Sequence, residues 1–183
     1  APRSGVAPDV LAAKGLSFSV TVEVCDSAWG DGLGIGFTTQ DPDRWPSTKT
    51  RPRYASTLPN ACLCGYSGQW VINGSSQILR KVRGNSVSWT PKSLRRGDVI
   101  TAVLAAPPAD VFRVLVNGRI VAERSASDLP DALSGSVWGV LDVDGCCVKV
   151  RLGEGIPESS LVDLSDLARP ATGGPPRPRT GRS

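Results

Sequence analysis

The run VFRVLVNGRIVAER, Val111 to Arg124, constrains this chain more than any other stretch. Apolar and polar residues alternate on both sides of an Asn-Gly pair, and that pair supplies the positive φ angles a type I′ turn requires. The run is therefore expected to form a β-hairpin. The same signals recur along the chain. LSFSVTVEV sets Leu16, Phe18, Val20, Val22 and Val24 against Ser17, Ser19, Thr21 and Glu23, which is the period of a half-buried strand. LGIGFTT places Leu33, Ile35 and Phe37 on one face and glycine on the other. These two runs are expected to pair with each other. QWVI and QILRKV flank an Asn73-Gly74 turn, Gly97-Asp98 leads into the apolar run VITAVL, and SVWGVLDV and CCVKVRL flank Asp144-Gly145 as a second expected hairpin. About eight or nine short strands and no long amphipathic helix predict an all-β antiparallel sandwich.

The punctuation between strands sets the domain organisation. Asp41 to Gly68 carries prolines, turn residues and basic side chains without strand period, and reads as one long connection of functional interest. After Leu152 the alternation stops, and Ser159 to Ala168 reads as one short helical turn. Arg169, Arg177, Arg179 and Arg182 then lie among Pro and Gly, in a tail that reads as disordered and solvated. The expected division is a remnant at 1–4, a sandwich over 5–153 and a flexible tail over 154–183. Opening on APRSGVAPDV without Met, the sequence reads as a piece of a longer protein.

Composition excludes more chemistry than it suggests. The 183 residues contain no histidine, which removes the commonest general base and metal ligand together. The glycines of GDGLGIG lie inside a strand pattern with no helix after them, and no Gly-Lys-Ser/Thr follows, so a phosphate loop is disfavoured. Asp142 and Asp144 would share a strand face, but one ends a strand and the other sits in an Asp-Gly turn, so an acid-base pair is the weaker reading. The five cysteines, Cys25, Cys62, Cys64, Cys146 and Cys147, include no CxxC pair and read as free thiols of a reducing compartment. No metal, no cofactor and no catalytic residue is expected. The net charge of +4 includes the basic tail, and Phe18, Phe37 and Phe112 fall on apolar strand faces, so nucleic acid is not an expected partner. No apolar run reaches the length of a membrane span.

Taken in order, FSVTVEV, WGDGLGIGFTTQDP, GQWVI, RRGDVITAVL, VFRVLVNGRIV and VWGVLDVDGCCVKVRL resemble a Neuralized homology repeat. Trp29, Gly32, Leu33, Ile35, Gly36, Phe37, Thr38, Asp41 and Pro42 carry the most specific part, and the resemblance covers roughly 5 to 152. Ahead of FSVTVEV only GVAPDVLAAKG remains, so the first strands of a full repeat are truncated or divergent. Beside Trp29 the family pattern W-x-G-x-L becomes WGDGL, with one position inserted.

The resemblance implies a concanavalin- or SPRY-like sandwich without catalytic activity. It further implies a module that binds a protein or peptide as a substrate- or partner-selecting adaptor in ubiquitin-ligase-linked assemblies. The alternative it implies is a peripheral membrane module that binds anionic phosphoinositides through basic loops. Either role places the protein in the cytoplasm, in the second case against a membrane. Loops at one end of a sandwich are its natural recognition sites, and Trp and Arg are favoured anchors. The candidate partner contacts are Trp45, Arg51, Arg53 and Tyr54 in the long connection, with Asn73 and Ser75 in the next turn. Trp45 reads equally well as a side chain folded back over a sheet edge. The lipid alternative points to Arg80, Lys81 and Arg83. Trp29 or Trp70 is expected to cover the bare face at Gly34 and Gly36.

Overall fold

A computed structural model of the chain describes residues 15–25, 33–44, 54–78, 89–105, 110–128, 136–143 and 147–153. Among the described residues, ten strands form two antiparallel sheets. In the first, the order is β10 (Cys147–Leu152), β1 (Leu16–Cys25), β6 (Val99–Ala105), β7 (Val111–Val116) and β8 (Arg119–Ser125). In the second it is β5 (Ser75–Ile78), β4 (Gln69–Ile72), β3 (Ala61–Gly65), β2 (Gly34–Thr38) and β9 (Trp138–Asp142). The helical content of the described residues is confined to short 3-10 turns, including Ala55–Thr57 and Pro91–Ser93.

Alternation along the strands builds the space between the sheets. Val20, Val22, Ile100, Ala102, Leu104, Phe112 and Val114 of the first sheet meet Ile35, Phe37, Cys62, Cys64 and Trp70 of the second in one buried cluster. A chain of edge-on aromatic contacts crosses the interface: Phe18 to Phe37 at 5.6 Å, Phe37 to Phe112 at 5.3 Å, and Phe112 to Trp70 at 5.0 Å between ring centroids. Each contact joins a strand of one sheet to a strand of the other, so the rings fix how the layers stack.

Local turn chemistry behaves as the sequence predicts. Asn117 and Gly118 both take positive φ (51° and 76°), as do Asn73 and Gly74 (49° and 76°), and each pair joins adjacent antiparallel strands. The Gly97-Asp98 turn is closed by the Asp98 carboxylate, which accepts from Arg95 N–H at 2.7 Å. Asn117 ties that turn to the hairpin beside it, donating to Asp98 at 2.8 Å and accepting from Val99 N–H at 2.9 Å.

Non-local pairing departs from the sequence reading in three places. The runs that form β1 and β2 do not pair: β1 lies between β10 and β6, whereas β2 lies between β3 and β9. The expected second hairpin is not one, because β9 pairs with β2 and β10 with β1, so the chain changes sheet between them. Its Asp144-Gly145 pair lies outside the described residues, as does the expected helical turn at 159–168. The long connection contains a central strand, β3, in its span. ACLCG shows no alternation because all five residues are buried: Cys62 and Cys64 face the core, and Ala61 and Leu63 face a second apolar layer on the outside. Of the expected strand QILRKV, Gln77 and Ile78 belong to β5, and the remainder lies outside the described residues.

Candidate recognition surface

The second sheet carries its own covering. Residues 54–60 lie over its outer face, where Ala55 and Leu58 pack with Ala61, Leu63, Val71, Tyr66 and Val140. An extended Tyr54 and an extended Leu58 bracket the 3-10 turn Ala55–Thr57. That turn is closed by hydrogen bonds from Thr57 N–H and Oγ1 to the Tyr54 carbonyl and from Leu58 N–H to the Ala55 carbonyl. Leu58 is the apolar anchor, only 3 % exposed, and it holds the segment down as a strap.

Polar contacts fasten both ends of the strap. At its start, Ala55 N–H donates to Asp142 Oδ2 at 2.9 Å, and the Tyr66 hydroxyl donates to the same oxygen at 2.7 Å. Asp142 closes β9 opposite Gly34, on the outer face of the sheet. At the strap's end, the Asn60 carbonyl accepts from Thr38 Oγ1 and from Thr39 N–H, both at 3.0 Å. Asn60 itself takes φ 50°, which turns the chain into β3. One carboxylate and one threonine therefore pin a segment to strands that lie far from it in sequence.

The bare glycine face explains how Tyr66 reaches Asp142. A Cβ on Gly34 would stand 2.4 Å from the Tyr66 ring, so the ring occupies the space that a side chain there would fill. The cover over this face is thus Tyr66. Trp70 points the other way and packs on Phe112 in the core, correcting the sequence expectation, while Trp29 lies outside the described residues. The parity is decided by register: Ile35, Cys64 and Trp70 stand side by side on the inner face, which leaves Gly34 and Gly36 on the outer one. At Gly36 the limit is backbone, since an added Cβ would collide with the Cys62 carbonyl.

Three of the candidate contacts from the sequence are placed by the structure. Tyr54 opens the strap and is 40 % exposed. Asn73 and Ser75 are exposed in and after the β4–β5 turn, and Asn73 N–H donates to the Ala61 carbonyl at 2.9 Å. That turn adjoins the strap: a Cβ on Gly74 would lie 3.8 Å from the Ser56 carbonyl oxygen. The strap and the β4–β5 turn thus form one continuous surface. Trp45, Arg51 and Arg53, and the basic residues Arg80, Lys81 and Arg83, lie outside the described residues. The sequence reading missed Tyr66 and Leu58, and it weighed Asp142 only as a member of an acid-base pair. The signal for Asp142 was a carboxylate at the end of an otherwise aliphatic strand, and for Tyr66 a large ring just after Cys-Gly and opposite a glycine-faced strand.

Asp142 accepts two hydrogen bonds and serves as a structural acceptor, while Asp144 lies outside the described residues. Cys62 and Cys64 are thiols buried in the core and form no disulfide, and burial pushes the Cys64 thiol well above its ordinary range, so it is not poised as a thiolate nucleophile. Among the described residues no helix is long and apolar enough to cross a membrane.

A family model described as Neuralized matches residues 13–154. Among solved structures the chain is similar to the crystal structure of the Drosophila melanogaster Neuralized NHR1 domain. The two share 16% sequence identity, with 76% of this chain and 73% of that chain covered and a TM-score of 0.47. Among curated proteins none matches the sequence.

Proposed function

The chain belongs to the Neuralized family, whose homology repeat is a protein-interaction module and not a known catalytic fold, and on that premise we propose that it recognises its partner through the strap and the adjoining β4–β5 turn. One observation carries this reading. The strap is fastened at both ends, by Asp142 and by Thr38, yet it leaves Tyr54 exposed at its start and lays Ser56 and Thr57 against the turn that bears Asn73 and leads to Ser75. A loop held rigid loses little conformational freedom on binding, and an exposed tyrosine supplies large contact area from few rotatable bonds. Trp45, Arg51 and Arg53 precede the strap in sequence and extend the same contact set.

The finer role proposed is that of a non-enzymatic adaptor that selects a substrate or partner for a ubiquitin-ligase-linked assembly in the cytoplasm. The sequence contains no histidine for a RING-type Cys/His array, so ligase chemistry would come from elsewhere in such an assembly. Affinity capture from cells, followed by quantitative mass spectrometry, tests it. Capture by the wild-type chain of a specific protein whose ubiquitination falls when the chain is depleted supports the adaptor role. Equal recovery of that protein by a Tyr54→Ala, Asn73→Ala double variant rejects the assigned surface. The lipid-binding reading rests on Arg80, Lys81 and Arg83 in sequence alone. Flotation with phosphoinositide vesicles decides it: salt-sensitive binding abolished by charge reversal at those three residues favours it, and absence of binding eliminates it.

A further inference from the structure

The first sheet ends at β10, and this edge combines three features not used by the strap surface. Lys149 and Arg151 are two residues apart and project from the outer face of the strand, with side chains 68% and 71% exposed. Val150 and Leu152 project from the inner face, in register with Val22 and Val20. Val150 packs on the core, but Leu152 is 64% exposed although its partner Val20 is fully buried. Among the described residues, β10 is the edge of its sheet, and no strand there pairs with its other side.

Among the described residues, charge near the edge is unbalanced. Glu23 of β1 lies between the two cations, 2.9 Å from Lys149 Nζ and 3.5 Å from Arg151 Nε, and Arg96 adds its field to the same carboxylate. The neighbouring carboxylate, Asp98, is turned to Arg95 N–H and to Asn117. Three cations therefore surround one anion, on a face that leads directly to that strand edge.

We propose that β10 binds an extended acidic peptide segment of a partner protein as an added antiparallel or parallel strand. Acidic residues at alternate positions would meet Lys149 and Arg151, and an apolar residue next to the one facing Arg151, on its Leu152 side, would cover Leu152. The period of two follows from strand geometry: side chains of an added strand alternate between the faces as those of β10 do. Only a segment that alternates acidic and apolar residues satisfies the cations and the exposed leucine together. An anionic membrane surface would satisfy the cations and leave the backbone ladder unused. Lys and Arg on an edge also discourage pairing between copies of the same chain, because an identical strand brings like charges together. An acidic strand reverses that repulsion. This surface lies on the sheet opposite the strap and stands independently of the surface assigned to Tyr54 and Asn73.

The test uses the full chain, amide NMR and two blocked synthetic hexapeptides of one composition, one alternating Val and Glu and the other with three Val followed by three Glu. Vesicles containing phosphatidylserine form a third arm. The expected result is that the alternating peptide shifts the amides of Lys149 to Leu152 and leaves those of Ala55 to Leu58 unmoved. Its binding weakens about tenfold in a Lys149→Glu, Arg151→Glu variant, weakens with Leu152→Lys, and tightens with Glu23→Gln, which removes the competing carboxylate. Circular dichroism of each variant confirms that the fold is retained. Equal binding of the two peptides overturns the strand addition, as does absence of binding on the order of millimolar peptide. Binding of vesicles without binding of the alternating peptide also overturns it, in favour of a lipid surface. None of these outcomes bears on affinity capture by the Tyr54→Ala, Asn73→Ala variant, so the two surfaces succeed or fail separately.

Discussion

Replacing Asp142 tests whether the strap is fastened as described. Its Oδ2 accepts one backbone and one phenolic hydrogen bond, at 2.9 and 2.7 Å, in a partly buried setting. A hydrogen bond to a charged group contributes about 1.5–3 kcal/mol, and a neutral one about 1 kcal/mol. Asp142→Ala removes both bonds and strands the Ala55 N–H beneath the strap, so a loss of about 2–4 kcal/mol is expected. Asp142→Asn keeps an oxygen acceptor without the charge and is expected to cost about half as much. Tyr66→Phe removes one bond to the carboxylate and keeps the ring over Gly34, costing about 1.5 kcal/mol, the lower end for a bond to a charged group. Urea unfolding of the two single variants and the Asp142→Ala, Tyr66→Phe double variant closes a thermodynamic cycle. The coupling is expected to be about 1.5 kcal/mol, because the phenol has nothing left to lose once the carboxylate is gone. Hydrogen exchange should accelerate at Ala55, Thr57 and Leu58 in Asp142→Ala while the β6–β7 amides stay protected. Strict additivity in the cycle, or unchanged exchange in the strap, would refute the clasp.

Other outcomes follow from the same geometry. Gly34→Ala puts a Cβ into the Tyr66 ring and should destabilise by about 1–3 kcal/mol in urea unfolding, with much of the loss recovered in a Gly34→Ala, Tyr66→Leu double variant. Phe37→Ala empties the centre of the aromatic chain and should cost about 3–5 kcal/mol by the same assay. Thr38→Val removes the side-chain bond to the Asn60 carbonyl, costing about 1 kcal/mol and speeding exchange at Thr39. The hydrogen bond from Lys149, helped by the charges of Lys149, Arg151 and Arg96, holds the Glu23 carboxyl below its ordinary value of 4.5. Since the folded value is the lower one, this contribution is present above pH 4.5 and is lost as the pH falls through the folded value; an NMR titration should show the Glu23 midpoint rise in Lys149→Ala.

What the sequence made legible was local. Asn73-Gly74 and Asn117-Gly118 specify their hairpins because a type I′ turn needs two positive φ angles, and those residue types accept them. Phe18, Phe37 and Phe112 read as core because each falls on the apolar phase of an alternating run. Which strands pair was not local information. β1 finds β10 and β6 at the far end of the chain, and the runs at 138–142 and 147–152 part into different sheets despite the turn signal between them. β3 was hidden because a strand covered on both faces has no polar phase, and its inner cysteines and outer Ala61 and Leu63 erase the period of two. The site was partly legible. Tyr54, Asn73 and Ser75 stand out as exposed residues of loop and turn, whereas the Tyr66–Asp142 bond joins positions 76 apart and has no signature along the chain.

Site-specific photocross-linking in cells tests the central claim most directly. A photoreactive amino acid is placed singly at Tyr54, Asn73 or Ser75 on the strap side, and at Arg119 in the β7–β8 hairpin as the reference. Recognition through the strap surface predicts that the three positions yield the same protein adduct and that Arg119 does not. The adduct at Ser75 should also weaken when Asp142→Ala loosens the strap. Equal adduct yields at all four positions, or a discrete adduct at Arg119 alone, would contradict the account.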